Sequence, residues 1–251
     1  MQARIEYSNL PKLIILTGPQ GSGNHLFSKV LALNPSVHGW QDLLDEYWIG
    51  HDKEPFATYW SNPKQLDKFD WSQSKVFVTS ISCPYALDGK YVDPNYAEFI
   101  KHASKHAEIQ IVLIGRDKNI LEHQQKRVRE QVTLLRYVDK LSELLKYNPI
   151  FVSHENLYLY GIDYVNWLER ELALPQTTDQ TSVDQILKDN ANKKYIRTVD
   201  QYWLDSVAQK ASKHKKSINH VTIIKYSSAV IILCAMVLHV AGITPWNSIL
   251  Q

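Results

Sequence analysis

The stretch from residue 10 to residue 33, LPKLIILTGPQGSGNHLFSKVLAL, constrains this chain more than any other. Leu13, Ile14, Ile15 and Leu16 form a short apolar run of the kind found in a parallel strand buried on both faces. Gly18-Pro19-Gln20-Gly21-Ser22-Gly23-Asn24 is a glycine-rich turn, and Leu26, Phe27, Val30, Leu31 and Leu33 then recur at helical spacing. A strand, a glycine loop and a helix in that order make a cradle for a phosphate group. Glycines let backbone N–H groups converge, and the helix N-terminus adds a favourable field for an anion. The competing reading is an ordinary tight turn, but glycines set between a buried strand and an amphipathic helix favour the phosphate site.

The loop departs from the motif that holds a nucleoside triphosphate with magnesium. That motif places Lys and then Ser or Thr directly after the last glycine, whereas Gly23 is followed by Asn24 and His25. Lys29 falls on the second turn of the helix, too far along to replace the lysine. The ligand expected here carries phosphate and needs no metal at this position.

Residues 34 to 74 read as a loop-rich insert with short helices, opened by the helix-ending pair Asn34-Pro35. His38, Asp42 and Glu46 lie in it, soon after the phosphate loop. Asp42 and Glu46 are spaced to share a helix face. A carboxylate or imidazole there is a candidate general base towards an acceptor hydroxyl; the alternative is a solvated acidic face. Trp48, Phe56, Tyr59, Trp60, Phe69 and Trp71 either line an acceptor pocket or belong to the core.

Beyond the insert, strands alternate with helices. KVFVTSIS (75 to 82) reads as a strand stopped by Cys83-Pro84, and Asp93-Pro94 opens a helix over 95 to 106. A strand from Ile109 to Ile114 runs into Gly115-Arg116-Asp117, followed by helices over about 119 to 130 and 133 to 147. The second of these, with Leu134, Leu135, Val138, Leu141, Leu144 and Leu145, reads as a core helix. A strand over 150 to 153 and a helix over 161 to 173 complete the series. This order predicts an α/β fold, a parallel sheet flanked by helices on both faces. Ligands in such sheets lie at the carboxyl ends of the strands. Arg116 is at one such end, suited to bidentate phosphate contact; a surface salt bridge to Asp117 or Glu122 is the alternative. Lys126, Arg127 and Arg129 follow on the helix and offer further positive charge.

Length and composition set the outer limits. The 251 residues suffice for one sizeable α/β core with a small appendage. A formal net charge of +2 gives no electrostatic argument for nucleic acid. Cys83 and Cys234 are the two cysteines and form no disulfide framework, which suits a reducing compartment. The first residues, with Arg4 and Glu6 and no long apolar run, do not resemble a signal peptide.

The order of segments resembles the sulfotransferase family, enzymes that use 3′-phosphoadenosine 5′-phosphosulfate (PAPS). Ser22-Gly23-Asn24-His25-Leu26-Phe27 resembles that family's 5′-phosphosulfate loop, K/R-S-G-T/N-x-L. The strand over 109 to 114 with Arg116-Asp117 resembles its 3′-phosphate element. Phe151-Val152-Ser153-His154-Glu155-Asn156-Leu157, then Trp167-Leu168-Glu169-Arg170-Glu171-Leu172-Ala173-Leu174-Pro175, is similar to the family's V-x-Y-E-D-L…F-L-G-L-P stretch and is the most specific match. Asp189 to Lys194 resembles the polar stretch that follows. The resemblance implies a three-layer α/β/α fold of the P-loop NTPase kind. It also implies PAPS as co-substrate, with backbone N–H groups of Gly21, Ser22, Gly23, Asn24 and His25 on the 5′-phosphate and Arg116 and Gln124 on the 3′-phosphate.

There are departures. Gly21 stands where the family carries Lys or Arg, and Gln124 stands where it often carries Ser. Thr79-Ser80-Ile81-Ser82-Cys83-Pro84 lacks the histidine of the cytosolic members' K-T-H-L-P stretch. Other members use a glutamate after the first helix, a role that Glu46 or Asp42 would suit, with His38 as a further candidate.

The chain ends differently. Residues 198 to 220 read as a polar helix or linker with Lys210, Lys213, Lys215 and Lys216. Within 221 to 251, the stretch from Tyr226 to Thr244 carries no formal charge. About twenty apolar residues cross a bilayer, so this is a candidate single span, with the lysines before it keeping the 1 to 197 domain cytoplasmic. A buried C-terminal hydrophobic helix is the alternative. Three functions remain open: a PAPS-dependent sulfotransferase acting on an acceptor hydroxyl or amine, a P-loop-type nucleotide kinase or NTPase, and a non-catalytic membrane-tethered binding protein on a degenerate sulfotransferase-like fold.

Overall fold

The computed structural model describes residues 10–46, 49–87, 89–176 and 178–189. β1 (Lys12–Pro19) is buried along its whole length apart from Lys12, whose ammonium donates to the Leu172 carbonyl at 2.5 Å. α1 (Asn24–Ala32) follows the glycine loop and buries Leu26, Phe27, Val30 and Leu31. The insert then holds the two-residue strand β2 (Val37–His38), the short helix α2 (Ala57–Ser61) and several 3-10 turns. β3 (Val76–Cys83) is succeeded by a small antiparallel hairpin of β4 (Tyr85–Leu87) and β5 (Lys90–Val92), signalled by Asp88-Gly89 in the sequence but absent from the expected series. α3 (Tyr96–Ala103), β6 (Glu108–Gly115), α4 (Lys118–Arg129), α5 (Leu134–Leu144), β7 (Ile150–Ser153), α6 (His154–Tyr160), α7 (Ile162–Glu171) and α8 (Gln180–Asp189) complete the described order.

Five strands form one sheet in the order β2-β3-β1-β6-β7, and every pairing in it is parallel. β1 lies in the middle, in register with β3 from Lys12↔Val76 to Pro19↔Cys83 and with β6 from Lys12↔Glu108 to Thr17↔Leu113. The chain builds outward from β1 on the β3 side, then crosses back to add β6 and β7. The reversal opens a crevice between the carboxyl ends of β1 and β6, the place where such sheets take ligands.

Side chains of β1 alternate between two cores, as a pleated strand requires. Ile14 and Leu16 pack with Phe27, Val30, Val165, Leu168 and Val183, from α1, α7 and α8. Leu13 and Ile15 pack with Phe77, Phe99, Ile111, Tyr137 and Leu144, the last layer coming from α3 and α5. The result is the three-layer α/β/α architecture that the alternating pattern predicts. Each of these fully buried aliphatic side chains contributes on the order of 2 kcal/mol by leaving water.

Of the two readings of the insert's aromatics, core prevails, although Phe56 and Phe69 also line a cavity. Phe56, Phe69 and Trp71 cluster on Phe77 with ring centroids 6.0, 5.4 and 5.5 Å away, and Trp60 stacks on Phe99 at 3.7 Å. Trp48 lies outside the described residues. α5 is core on one face only: Tyr137 and Leu144 are buried, while Leu135 and Val138 are 72% and 46% exposed.

The described residues belong to one compact unit. None of their helices is long and apolar enough to cross a membrane. The polar stretch 198 to 220 and the apolar run 226 to 244 lie outside the described residues.

Candidate functional site

The glycine loop closes tightly over the end of β1. Ser22 N–H donates to the Pro19 carbonyl at 3.0 Å. Gly18 has no room for a side chain, since a Cβ there would lie 2.5 Å from Ser22 Oγ and 2.7 Å from the Ile114 carbonyl of β6. Ser22 Oγ donates to Asn24 Oδ1 at 3.0 Å, and Asn24 Nδ2 donates to Ser82 Oγ at 3.1 Å, tying the loop to the end of β3. Gly23 is the N-cap of α1 at φ 108°, with no side chain capping the helix and no acid in its first turn. The first N–H groups of α1 therefore point out of the helix with its positive end behind them, the arrangement that attracts an anion.

Positive charge reaches the loop from the neighbouring strand. Arg116 leaves the end of β6 and is buried, with Nη1 donating to the Gly21 carbonyl at 2.5 Å and to Gln124 Oε1 at 2.8 Å. The structure thus brings Arg116, Gln124 and Gly21 together. Asp117 caps α4, its carboxylate accepting from Ile120 N–H at 3.0 Å. A second brace comes from Gln125, whose Nε2 donates to the Gln20 carbonyl at 2.7 Å, while Thr133 Oγ1 donates to Gln20 Oε1 at 3.0 Å. Lys126 and Arg127 are exposed on α4. Lys29 is committed elsewhere: its ammonium donates to the carbonyls of Leu44, at 3.0 Å, and Glu46. Partial burial lowers its pKa, opposed by the charges of Asp45 and Glu46.

The three acid–base candidates of the insert do not converge on the loop. His38 pairs in β2 with Phe77, which lies opposite Leu13 near the amino end of the sheet. Gly18 lies opposite Ser82, so the offset along the strand is about 17 Å. His38 and Asp42 instead line a cavity of about 340 Å³ together with Lys53 and Phe56. Asp42 sits on the single 3-10 turn Gln41–Leu43, and that turn ends before Glu46. The two carboxylates are exposed and share no helix face, because the helix their spacing needs is not formed.

The carboxylate that does reach the loop is Glu54, which the sequence reading missed. It is 7% exposed. Its Oε1 meets His25 Nε2 at 2.8 Å and His51 Nδ1 at 3.3 Å, and its Oε2 accepts from Ser80 Oγ at 2.5 Å. Burial pushes the Glu54 pKa up, but the hydrogen bonds and charges of His25 and His51 outweigh it and hold it below the usual range. His25, expected to serve through its backbone N–H, thus also carries a side chain bonded to a buried carboxylate. The available signal was slight: a His-x-x-Glu spacing at 51 to 54 and a histidine directly after the glycine loop.

His154, the first residue of α6, lies under the same loop and is 1% exposed. A Cβ on Gly23 would come within 2.6 Å of its Cδ2. Burial and the nearby Arg116 charge push its pKa down to about 3, so it is neutral. Among the described residues no metal-binding group of His, Cys, Asp or Glu is found.

No family model matches the chain, and no curated protein matches it. Among solved structures it is similar to the sulfotransferase domain of the olefin synthase from Synechococcus PCC 7002, at 11% sequence identity, a TM-score of 0.42, and coverage of 80% of this chain and 98% of that one.

Proposed function

We infer that this chain binds PAPS and transfers its sulfuryl group to an acceptor hydroxyl or amine. The observation that carries the reading is the convergence at the carboxyl ends of β1, β6 and β3. A glycine loop without the lysine and hydroxyl of a magnesium–triphosphate site meets a buried arginine from the next strand and a buried carboxylate bonded to a loop histidine.

In this reading the N–H groups of Gly21 to His25 hold the 5′-phosphosulfate, and Arg116 and Gln124 hold the 3′-phosphate. Arg116 would exchange its bond to the Gly21 carbonyl for the ligand. The acceptor oxygen or nitrogen attacks sulfur in line. The bond from sulfur to the bridging oxygen breaks, and adenosine 3′,5′-bisphosphate leaves with the electron pair. The acceptor's proton passes to the Glu54–His25 pair, in place of Asp42, Glu46 or His38. Stabilisation is positional and electrostatic: the backbone dipoles of the loop are aimed at the charge that develops on the bridging oxygen, while Arg116 anchors the 3′-phosphate. The reading includes a C-terminal membrane span over 226 to 244 with the α/β domain on the cytoplasmic side, supported by the apolar run and the lysines before it.

Calorimetric titration of the full chain with adenosine 3′,5′-bisphosphate, and separately with ATP and magnesium, tests this. Binding of the bisphosphate, weakened at least about 10-fold in Arg116→Ala, is expected, the scale set by the loss of charge-assisted hydrogen bonds. Preference for ATP and magnesium would replace the reading with a nucleotide kinase or NTPase. Bisphosphate binding with no transfer from PAPS across an acceptor panel would leave a binding protein.

A further inference from the structure

We propose that His154 is a ligand-contacting residue of the glycine-loop site: its Nε2 donates a hydrogen bond to a bound phosphate-class anion, and the imidazole takes up a proton from water as the anion binds. The inference rests on the phosphate-binding reading of the loop and assigns a residue that the reading does not use.

Two independent features meet at one point. The N-terminus of α1 is uncapped, with Gly23 at its head and no acid in its first turn. Against Gly23 lies His154, almost completely buried, whose Nε2 has no hydrogen-bond partner among the described residues. The Cβ position of Gly23 is 2.6 Å from Cδ2 and 3.4 Å from Nε2 of that ring. A buried imidazole nitrogen without a partner costs free energy unless something else occupies its hydrogen-bonding direction. At the mouth of a helix N-terminus the group that fits is an oxyanion, which would accept from Nε2–H and from the loop N–H groups together.

The surrounding charges set the sign of the proton linkage. From β6 the group that acts on the ring is the Arg116 guanidinium, and from α6 itself it is Tyr158, whose ring centroid lies 5.1 Å away. Burial holds the Tyr158 hydroxyl neutral, with its pKa pushed up to about 12. Glu155 is turned to Asp117 N–H at 2.9 Å and Ser153 Oγ at 3.1 Å. The glycine loop contributes no titratable contact to the ring. With Arg116 as the charge beside it, the imidazole is held neutral. An anion placed between them reverses the local field and favours the imidazolium, so binding draws in a proton.

The test is calorimetric titration of the full chain at pH 6.5 in two buffers of different ionisation enthalpy. The probes are adenosine 3′,5′-bisphosphate and inorganic pyrophosphate, on wild type, His154→Gln and His154→Phe. Wild type is expected to take up about half a proton or more beyond either variant. His154→Gln, which keeps a donor, is expected to bind within about 3-fold of wild type, and His154→Phe about 10-fold more weakly. Equal proton uptake in wild type and both variants, with affinity unchanged, overturns the inference while leaving the PAPS reading intact. Pyrophosphate binding with the expected proton uptake, but no bisphosphate binding, supports the inference and overturns the PAPS reading. Failure of both probes to bind overturns both. Should the variants not fold, nitrogen NMR of histidine-labelled wild type decides: a neutral imidazole must become protonated on loading, and no such change overturns the inference.

Discussion

Single residues set what the loop can hold. Gly23 combines a left-handed backbone with a surface pressed on His154. Gly23→Ala therefore adds both backbone strain and a clash. It is expected to destabilise the fold by about 2–4 kcal/mol, read as a lower urea midpoint with unchanged slope. Glu54 shows the opposite use of burial. Its carboxylate is taken out of water, yet every bond it makes is to a donor that favours its charge. That leaves an ionised group bonded to His25 beside the loop, a position that the exposed Asp42 and Glu46 do not reach.

At the scale of elements, α1 is fixed at both ends by polar contacts rather than by its apolar face alone. At its start, Asn24 reaches β3 and His25 reaches the insert. Beyond its end, Asn34 is fully buried and donates to Glu169 Oε1 of α7 at 2.8 Å and to the Pro175 carbonyl at 2.6 Å. Thr178 Oγ1 also donates to Glu169 Oε1, at 2.6 Å. Removing Asn34 leaves a buried carboxylate short of a donor. Asn34→Ala is expected to cost about 3 kcal/mol in chemical denaturation, well above a surface substitution. Because α1 carries the loop at its head, the same variant should weaken anion binding without touching the ligand.

For the whole molecule, the buried titratable groups give stability a direction with pH. His154 has a folded pKa of about 3 against an ordinary value of 6.5, so below pH 6.5 the unfolded chain binds a proton that the folded one does not. Stability therefore falls as pH drops through that window, by up to about 1.4 kcal/mol per pH unit from this group. Glu54 acts in the same direction at lower pH: its folded pKa is held below 4.5, so its contribution is present above 4.5 and is lost as pH falls towards the folded value. Urea unfolding at pH 7 and pH 5 is expected to show the loss, and His154→Gln is expected to flatten it.

The sequence by itself determined the layered fold and the place of the loop. Apolar runs, helical spacing and glycines are local signals, and local signals decide which segments become strands, helices and turns. They also determined that Arg116 would stand at a strand end, since the strand and the arginine are adjacent in the chain. The spacing of Asp42 and Glu46 was legible too, but spacing implies a shared face only if a helix forms. Here the chain makes one 3-10 turn and moves on. Glu54, His51 and His154 were brought to the loop by tertiary structure, with only the His-x-x-Glu spacing at 51 to 54 as a local hint. Glu54 lies 29 residues from His25 and 26 from Ser80, and His154 meets Gly23 from the far end of the domain. What selects such partners is the desolvation of a buried charge or ring, a cost that exists only once the sheet has closed and water has left.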